Sequence, residues 1–123
     1  MAVVLIVDDS PTEVHVMRGW LEKDGHTVLS AADGDEGIRV AHERRPDLIF
    51  MDVVMPGLNG FQATRTLARD PGTAGIPVII VTTKNQETDR IWALRQGAVD
   101  YLVKPVSEGD LVAKVTQWLN ASA

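Results

Sequence analysis

The chain of 123 residues contains no cysteine. Disulfide frameworks, thiol nucleophiles, iron–sulfur clusters and cysteine-ligated zinc are excluded, so the core must hold by packing alone. Aromatic residues are scarce, at 5%, and cations are outnumbered: twelve Lys plus Arg face seventeen Asp plus Glu, for a formal charge of −5. The cations are scattered, so no basic run offers a nucleic acid its electrostatic footprint. The longest apolar runs, Met1–Val7 and Ile76–Val81, fall short of the roughly 20 residues that cross a bilayer. The first lacks a basic flank and runs straight into Asp8 and Asp9, unlike a secretory signal. A cytoplasmic protein with no membrane insertion is the expectation. No nucleotide-binding glycine loop, nucleophile-elbow serine motif or paired-histidine zinc motif is present.

What remains is an ordinary globular composition, 45% hydrophobic and 24% charged, over a length suited to one domain. Residues 1–123 therefore read as a single unit with no separate output domain, and a monomer is the expected state.

Short apolar runs alternate with amphipathic stretches. The runs predict strands at Val3–Val7, Thr27–Ala31, Leu48–Met51, Val78–Thr82 and Tyr101–Val103. A first helix opens on Ser10-Pro11-Thr12-Glu13, which pairs a capping serine with proline in the first turn and a glutamate three residues on, the pattern of a capping box. Val14, Met17 and Leu21 recur at helical spacing and Gly25 supplies the stop. Further helices are predicted over Asp35–Arg44, Phe61–Arg69, Glu87–Gln96 closed by Gly97, and Glu108–Leu119 after a Ser107 cap. Asn120–Ala123 reads as a frayed end.

Strict alternation, with connections long enough for crossovers, implies a parallel sheet covered on both faces. The first, third and fourth runs are continuously apolar and belong in the middle, while TVLSA alternates and the fifth run is short, as edge strands are. Right-handed crossovers then give the order 2-1-3-4-5: a three-layer flavodoxin-like α/β sandwich of five parallel strands and five helices, with ligands expected at the carboxyl ends of the strands.

Polar residues stand at those ends. Asp8 and Asp9 follow the first strand, Asp52 follows the third, Thr82 ends the fourth and Lys104 follows the fifth, so the fold brings them to one rim. Three carboxylates there repel one another. The Lys104 ammonium and a hard, oxygen-preferring cation such as Mg2+ are the candidates to offset them. A carboxylate held beside two cations is placed to attack a phosphoryl group, with the Thr82 hydroxyl donating to its oxygens. Each residue also has a local reading: Asp8-Asp9 as a helix cap, Asp52 as the start of a turn, Thr82 as a β-branched strand residue, Tyr101 as cover for an edge. Their joint arrival at one rim is what the local readings leave unexplained.

VLIVDDS at Val4–Ser10, LIFMDVVMPGLNG at Leu48–Gly60, PVIIVTT at Pro77–Thr83 and DYLVKP at Asp100–Pro105 together resemble response-regulator receiver domains of the chemotaxis-regulator type over essentially the whole chain. The resemblance implies Asp52 as phosphoacceptor, and Asp8, Asp9, Asp52 and the Val54 backbone carbonyl as Mg2+ ligands. It implies Lys104 as the phosphate-pairing lysine, Thr82 and Tyr101 as the switch pair, and a cis bond at Lys104–Pro105. VDDSPTE, MPGLNGFQATR and VIIVTTKNQETDRIW extend the likeness to stand-alone receivers that control type IV pilus twitching motility. The implied partners are a CheA-type histidine kinase with its phosphotransfer domains, and an unidentified downstream protein. Val54 and Lys84 occupy the positions at which receivers tune dephosphorylation, and valine has no group with which to position water.

Such a chain catalyses its own phosphoryl transfer and autodephosphorylation without being a turnover enzyme. A haloacid-dehalogenase-type hydrolase would need a general acid two residues after a nucleophile on the first strand, where Ser10 follows Asp8. A receiver fold kept only as a passive interaction module would be expected to have lost an acid or the lysine, and none is missing. Trp20 and Trp118 read as half-buried. Ile91 reads as the inward neighbour of an exposed Trp92, His15, His26 and His42 as surface residues with no paired acid, and Gly57–Gly60 as a flexible connection.

Overall fold

The computed structural model describes residues 1–121. VVLIV forms β1 (Val3–Val7), and strands and helices then alternate: α1 (Pro11–Lys23), β2 (Thr27–Ala31), α2 (Gly34–Arg44), β3 (Leu48–Met51), α3 (Gly60–Arg69), β4 (Val78–Thr82), α4 (Glu87–Gln96), β5 (Asp100–Val103) and α5 (Glu108–Ala121). The sheet has the order β2-β1-β3-β4-β5. Every pairing is parallel, with Val4 opposite both Val28 and Leu48, Ile49 opposite Val78 and Ile80 opposite Tyr101. The edge assignments read from TVLSA and from the short fifth run both hold.

Because side chains alternate across a strand, each central strand feeds two cores. Leu5, Val7, Ile49, Met51, Val78 and Ile80 face one side, where Ala41, Ala63, Leu67 and Ala93 of the helices α2, α3 and α4 meet them. Val4, Ile6, Leu48, Phe50, Ile79 and Val81 face the other, against Met17 and Leu21 of α1 and Leu111 and Val115 of α5. Full burial of such side chains contributes roughly 1.5–3 kcal/mol each, so both layers lock the strand ends in place.

Local signals set the element limits. Asp33 caps α2 by accepting from Glu36 N, which starts that helix at Gly34 rather than Asp35. Asn59 and Gln62 form a reciprocal capping box that starts α3 at Gly60 rather than Phe61. Gly25 and Gly97, at φ +90° and +111°, follow α1 and α4 in the left-handed region that glycine tolerates. β5 begins one residue before the apolar run, at Asp100, and α5 continues past Leu119 to Ala121. Ser122 and Ala123, the rest of the end read as frayed, lie outside the described residues.

Two expectations need correction. Ile91 is as open as its neighbour, at 42% against 49% for Trp92, because Ala93 is the residue α4 buries. His26 and His42 each have a carboxylate partner: Asp24 at 3.1 Å and Asp70 at 2.8 Å. The His26 ring is also tucked in, with Nδ1 accepting from Ala2 N at 3.1 Å, whereas His15 is exposed as expected. Before the Gly57–Gly60 connection, Val53 and Met55 are buried, and at its end Gly60 N donates to Val53 O at 3.0 Å.

No helix among the described residues is long and apolar enough to cross a membrane.

Candidate functional site

Asp8 is set by the first crossover. Its backbone N–H donates to Ala31 O at 3.0 Å as β1 ends, and its Oδ1 accepts from Ser10 N at 2.9 Å. Asp52 is anchored in the same way where β3 ends, its N–H donating to Val7 O at 2.9 Å and its Oδ1 accepting from Val53 N at 2.8 Å. Asp9 points outward beside them and is exposed. One carboxylate oxygen from each of Asp8, Asp9 and Asp52 lies within 4.8 Å of the others. An all-oxygen set of that span suits a hard divalent cation and not a soft one.

Lys104 reaches the same place from the end of β5. Its N–H donates to Thr82 O at 2.8 Å, and the Lys104–Pro105 peptide bond is cis. Lys104 Nζ donates to Asp8 Oδ2 and to Glu13 Oε2, each at 2.9 Å, and stands 3.6 Å from Asp52 Oδ2. Burial works against the ammonium, yet the hydrogen bonds to Glu13 and Asp8 outweigh it and push the group up to about 12. Lys104 therefore stays charged throughout the physiological range.

Burial pushes the Asp52 carboxyl above the ordinary carboxylate range; the Lys104 charge opposes this shift and the Asp8 charge adds to it. Backbone N–H groups of Val53 and Val54 also favour its ionised form. The result is a half-satisfied carboxyl: ionisable, desolvated and faced by the Lys104 ammonium. The Val54 side chain is 60% exposed.

Thr82 is fully buried at the end of β4, its hydroxyl accepting only a long 3.4 Å hydrogen bond from Lys84 N. Tyr101, one strand over, is half-buried, and its hydroxyl donates to Lys84 O at 2.8 Å. Thr82 and Tyr101 are thus both tied to the β4–α4 loop through Lys84. Burial, and then the charge of Asp89, push the Tyr101 phenol up to about 12.

Glycine makes one close approach possible. A Cβ on Gly60 would run into the Asp52 carbonyl, so only glycine lets α3 begin against the backbone of Asp52.

Sequence reasoning missed Glu13. The expected capping box is half-formed: Ser10 Oγ accepts from Glu13 N at 3.3 Å, but the Glu13 side chain turns to Lys104. The physical reason is that Ser10 N–H is already taken by Asp8, and an ammonium outcompetes a backbone amide for a carboxylate. No periodicity announces a contact made between helix α1 and the far end of the chain.

The family model described as the response regulator receiver domain matches residues 4–116. Protein PilH of Pseudomonas aeruginosa is 58% identical over 94% of this chain and 95% of its own length. Among solved structures, the chemotaxis protein CheY4 of Vibrio cholerae is 31% identical with a TM-score of 0.91, covering 97% of this chain and 99% of that one. The receiver domain of the sensor histidine kinase PA1611 of Pseudomonas aeruginosa, solved with a magnesium ion coordinated in the active site cleft, is 32% identical with a TM-score of 0.89, covering 97% and 98%.

Proposed function

The chain belongs to the response regulator receiver domain family, and from that premise we propose that it is a phosphorylation switch that accepts a phosphoryl group on Asp52 from a histidine kinase. The observation that carries this reading is the convergence of Asp8, Asp9, Asp52 and Lys104 on one rim, two of the carboxylates held by a single ammonium that is itself almost buried.

In the proposed step an Asp52 carboxylate oxygen attacks phosphorus, the P–N bond of the donor phosphohistidine breaks, and the imidazole leaves as an acyl phosphate forms. Lys104 pairs with the phosphoryl oxygens and the Thr82 hydroxyl donates to them. Asp8, Asp9, Asp52 and the Val54 carbonyl are the residues that would hold Mg2+, which when bound neutralises charge building on those oxygens. The donor set supports that assignment, because every side-chain ligand is a carboxylate oxygen. Val54 offers no polar group with which to orient a water for hydrolysis, which favours a long-lived acyl phosphate.

Readout follows from the charge gained, roughly −1.5 to −2 by analogy with other phosphorylated side chains. Thr82 drawn toward the phosphoryl group loosens its tie to Lys84, and Tyr101, bonded to the Lys84 carbonyl, moves with the loop. The face of α4, β5 and α5, where Ile91, Trp92 and Val103 are exposed, then changes shape for a downstream protein.

The likeness to PilH over nearly that protein's full length supports a finer assignment: a receiver unit acting in the cytoplasm. Its donor would be a CheA-type kinase of a chemotaxis-like system that controls type IV pilus twitching motility. Intact mass after incubation with acetyl phosphate tests the core reading. One labile phosphoryl group should appear, depend on Mg2+, and be absent from Asp52→Asn. An adduct that persists in that variant would defeat it.

A further inference from the structure

Lys104 is shared unequally. Its two hydrogen bonds go to Asp8 and Glu13, while Asp52, the residue with which it would cooperate, lies at 3.6 Å. Asp8 is fixed, being buried and bonded to Ser10 N. Glu13 differs: its side chain is 45% exposed and, among the described residues, its carboxylate has no partner but Lys104. Beside it runs a shallow, mostly apolar groove lined by Val16, Met17, Trp20 and Pro105, so the carboxylate has open space into which to swing.

We propose that Glu13 is a positioning residue that holds Lys104 back from Asp52 until a phosphoryl group draws the lysine across. The proposal rests on the reading of Asp52 as phosphoacceptor. A phosphoryl group on Asp52 places new negative charge beside the ammonium, and of the three carboxylates that surround Lys104 only Glu13 is free to withdraw. Charging the site therefore costs the Glu13–Lys104 contact. This sets a threshold that a chain without an acid at that position would not have. The same contact joins the first turn of α1 to the end of β5, so its release reports the state of Asp52 on the α1 side of the molecule, away from α4.

The experiment measures beryllofluoride affinity by fluorine NMR in the presence of Mg2+, for wild type and Glu13→Gln, at low and high salt. Glu13→Gln keeps the backbone hydrogen bond to Ser10, and a melting curve establishes that it folds. Removing the competing carboxylate should tighten beryllofluoride binding about two- to fivefold at low salt, the factor that corresponds to an exposed ion pair. The difference should narrow at high salt, because the Glu13 end of the contact is 45% exposed and open to screening. A simple helix-capping role would leave the affinity unchanged. Equal affinities at low salt, weaker binding by Glu13→Gln, or a difference that salt does not move would each overturn the proposal while leaving Asp52 as acceptor. Failure of the wild type to bind at all would overturn the acceptor reading and this proposal with it.

Discussion

The Lys104 ammonium and the Asp52 carboxylate stand 3.6 Å apart, close enough to attract and too far to hydrogen-bond. The resting site thus keeps the Asp52 carboxylate only partly neutralised, with the nearby Asp8 charge working against its ionisation.

Replacing Asp52 with asparagine should therefore stabilise the resting protein. Asn keeps an oxygen to accept from Val53 N and removes a desolvated charge. The gain should be about 1 kcal/mol at neutral pH in the absence of divalent cation. Because the folded-state pKa of Asp52 is raised, its stabilising protonated form prevails below the unfolded value, and that stability is lost as pH rises through the folded one. The advantage of Asp52→Asn should accordingly vanish in acid. Denaturant melts at neutral and acidic pH check this, and an asparagine variant less stable at neutral pH would contradict it.

Asp100 carries the opposite sign. Burial alone would raise its pKa, but hydrogen bonds from Lys114 at 2.6 Å and Trp118 at 3.0 Å, with one from Tyr101 N, hold it below the ordinary range. Its contribution is present above the unfolded pKa and is lost as pH falls through the folded one. Asp100→Asn should cost about 1–2 kcal/mol at neutral pH and progressively less as the solution is acidified below about pH 4. Melts of both proteins across that range read the difference.

Tyr101 is the sole tyrosine, so phenolate absorbance reports it alone. The folded protein should titrate at about 12, and the denatured protein near 10. Ionisation opposes the fold, so stability held below about pH 10 should drain away as pH climbs toward the folded value. A folded-state midpoint near 10 would mean that the phenol is not held in the partly buried position beside Asp89.

Gly60→Ala should damage the site without touching any charged group. The added methyl meets the Asp52 carbonyl, and relieving that clash must shift either Asp52 or the start of α3. A loss of about 2 kcal/mol or more, with slowed phosphorylation by acetyl phosphate, is expected. An unaltered melt would show that the loop yields freely.

Much of this was legible before the fold was seen, for reasons that can be named. VVLIV, LIFM and VIIV are buried on both faces, so their period reveals the sheet, and a parallel sheet delivers Asp8, Asp9, Asp52 and Lys104 to one rim by topology alone. What stayed hidden depends mostly on side-chain reach between distant segments, Glu13 to Lys104, His26 to Ala2 and His42 to Asp70, and in one case on a local turn that brings Asp24 to His26. Helix α4 misled for another reason. Ile91, Trp92 and Leu94 crowd its sequence, but the helix buries a single small residue, Ala93, and leaves the large ones out. That mismatch between apolar content and burial is why amphipathic patterning gives no guide on α4, and it suits the partner face proposed above.

The central claim, that Asp52 itself carries the phosphoryl group, is tested most directly by borohydride trapping after incubation with acetyl phosphate and Mg2+. Borohydride reduces an aspartyl phosphate to homoserine, which peptide mass analysis locates. The account predicts homoserine at position 52 and nowhere else, with none formed when Mg2+ is withheld. Homoserine at position 8 or 9, or none at all in protein shown to be folded, would contradict it.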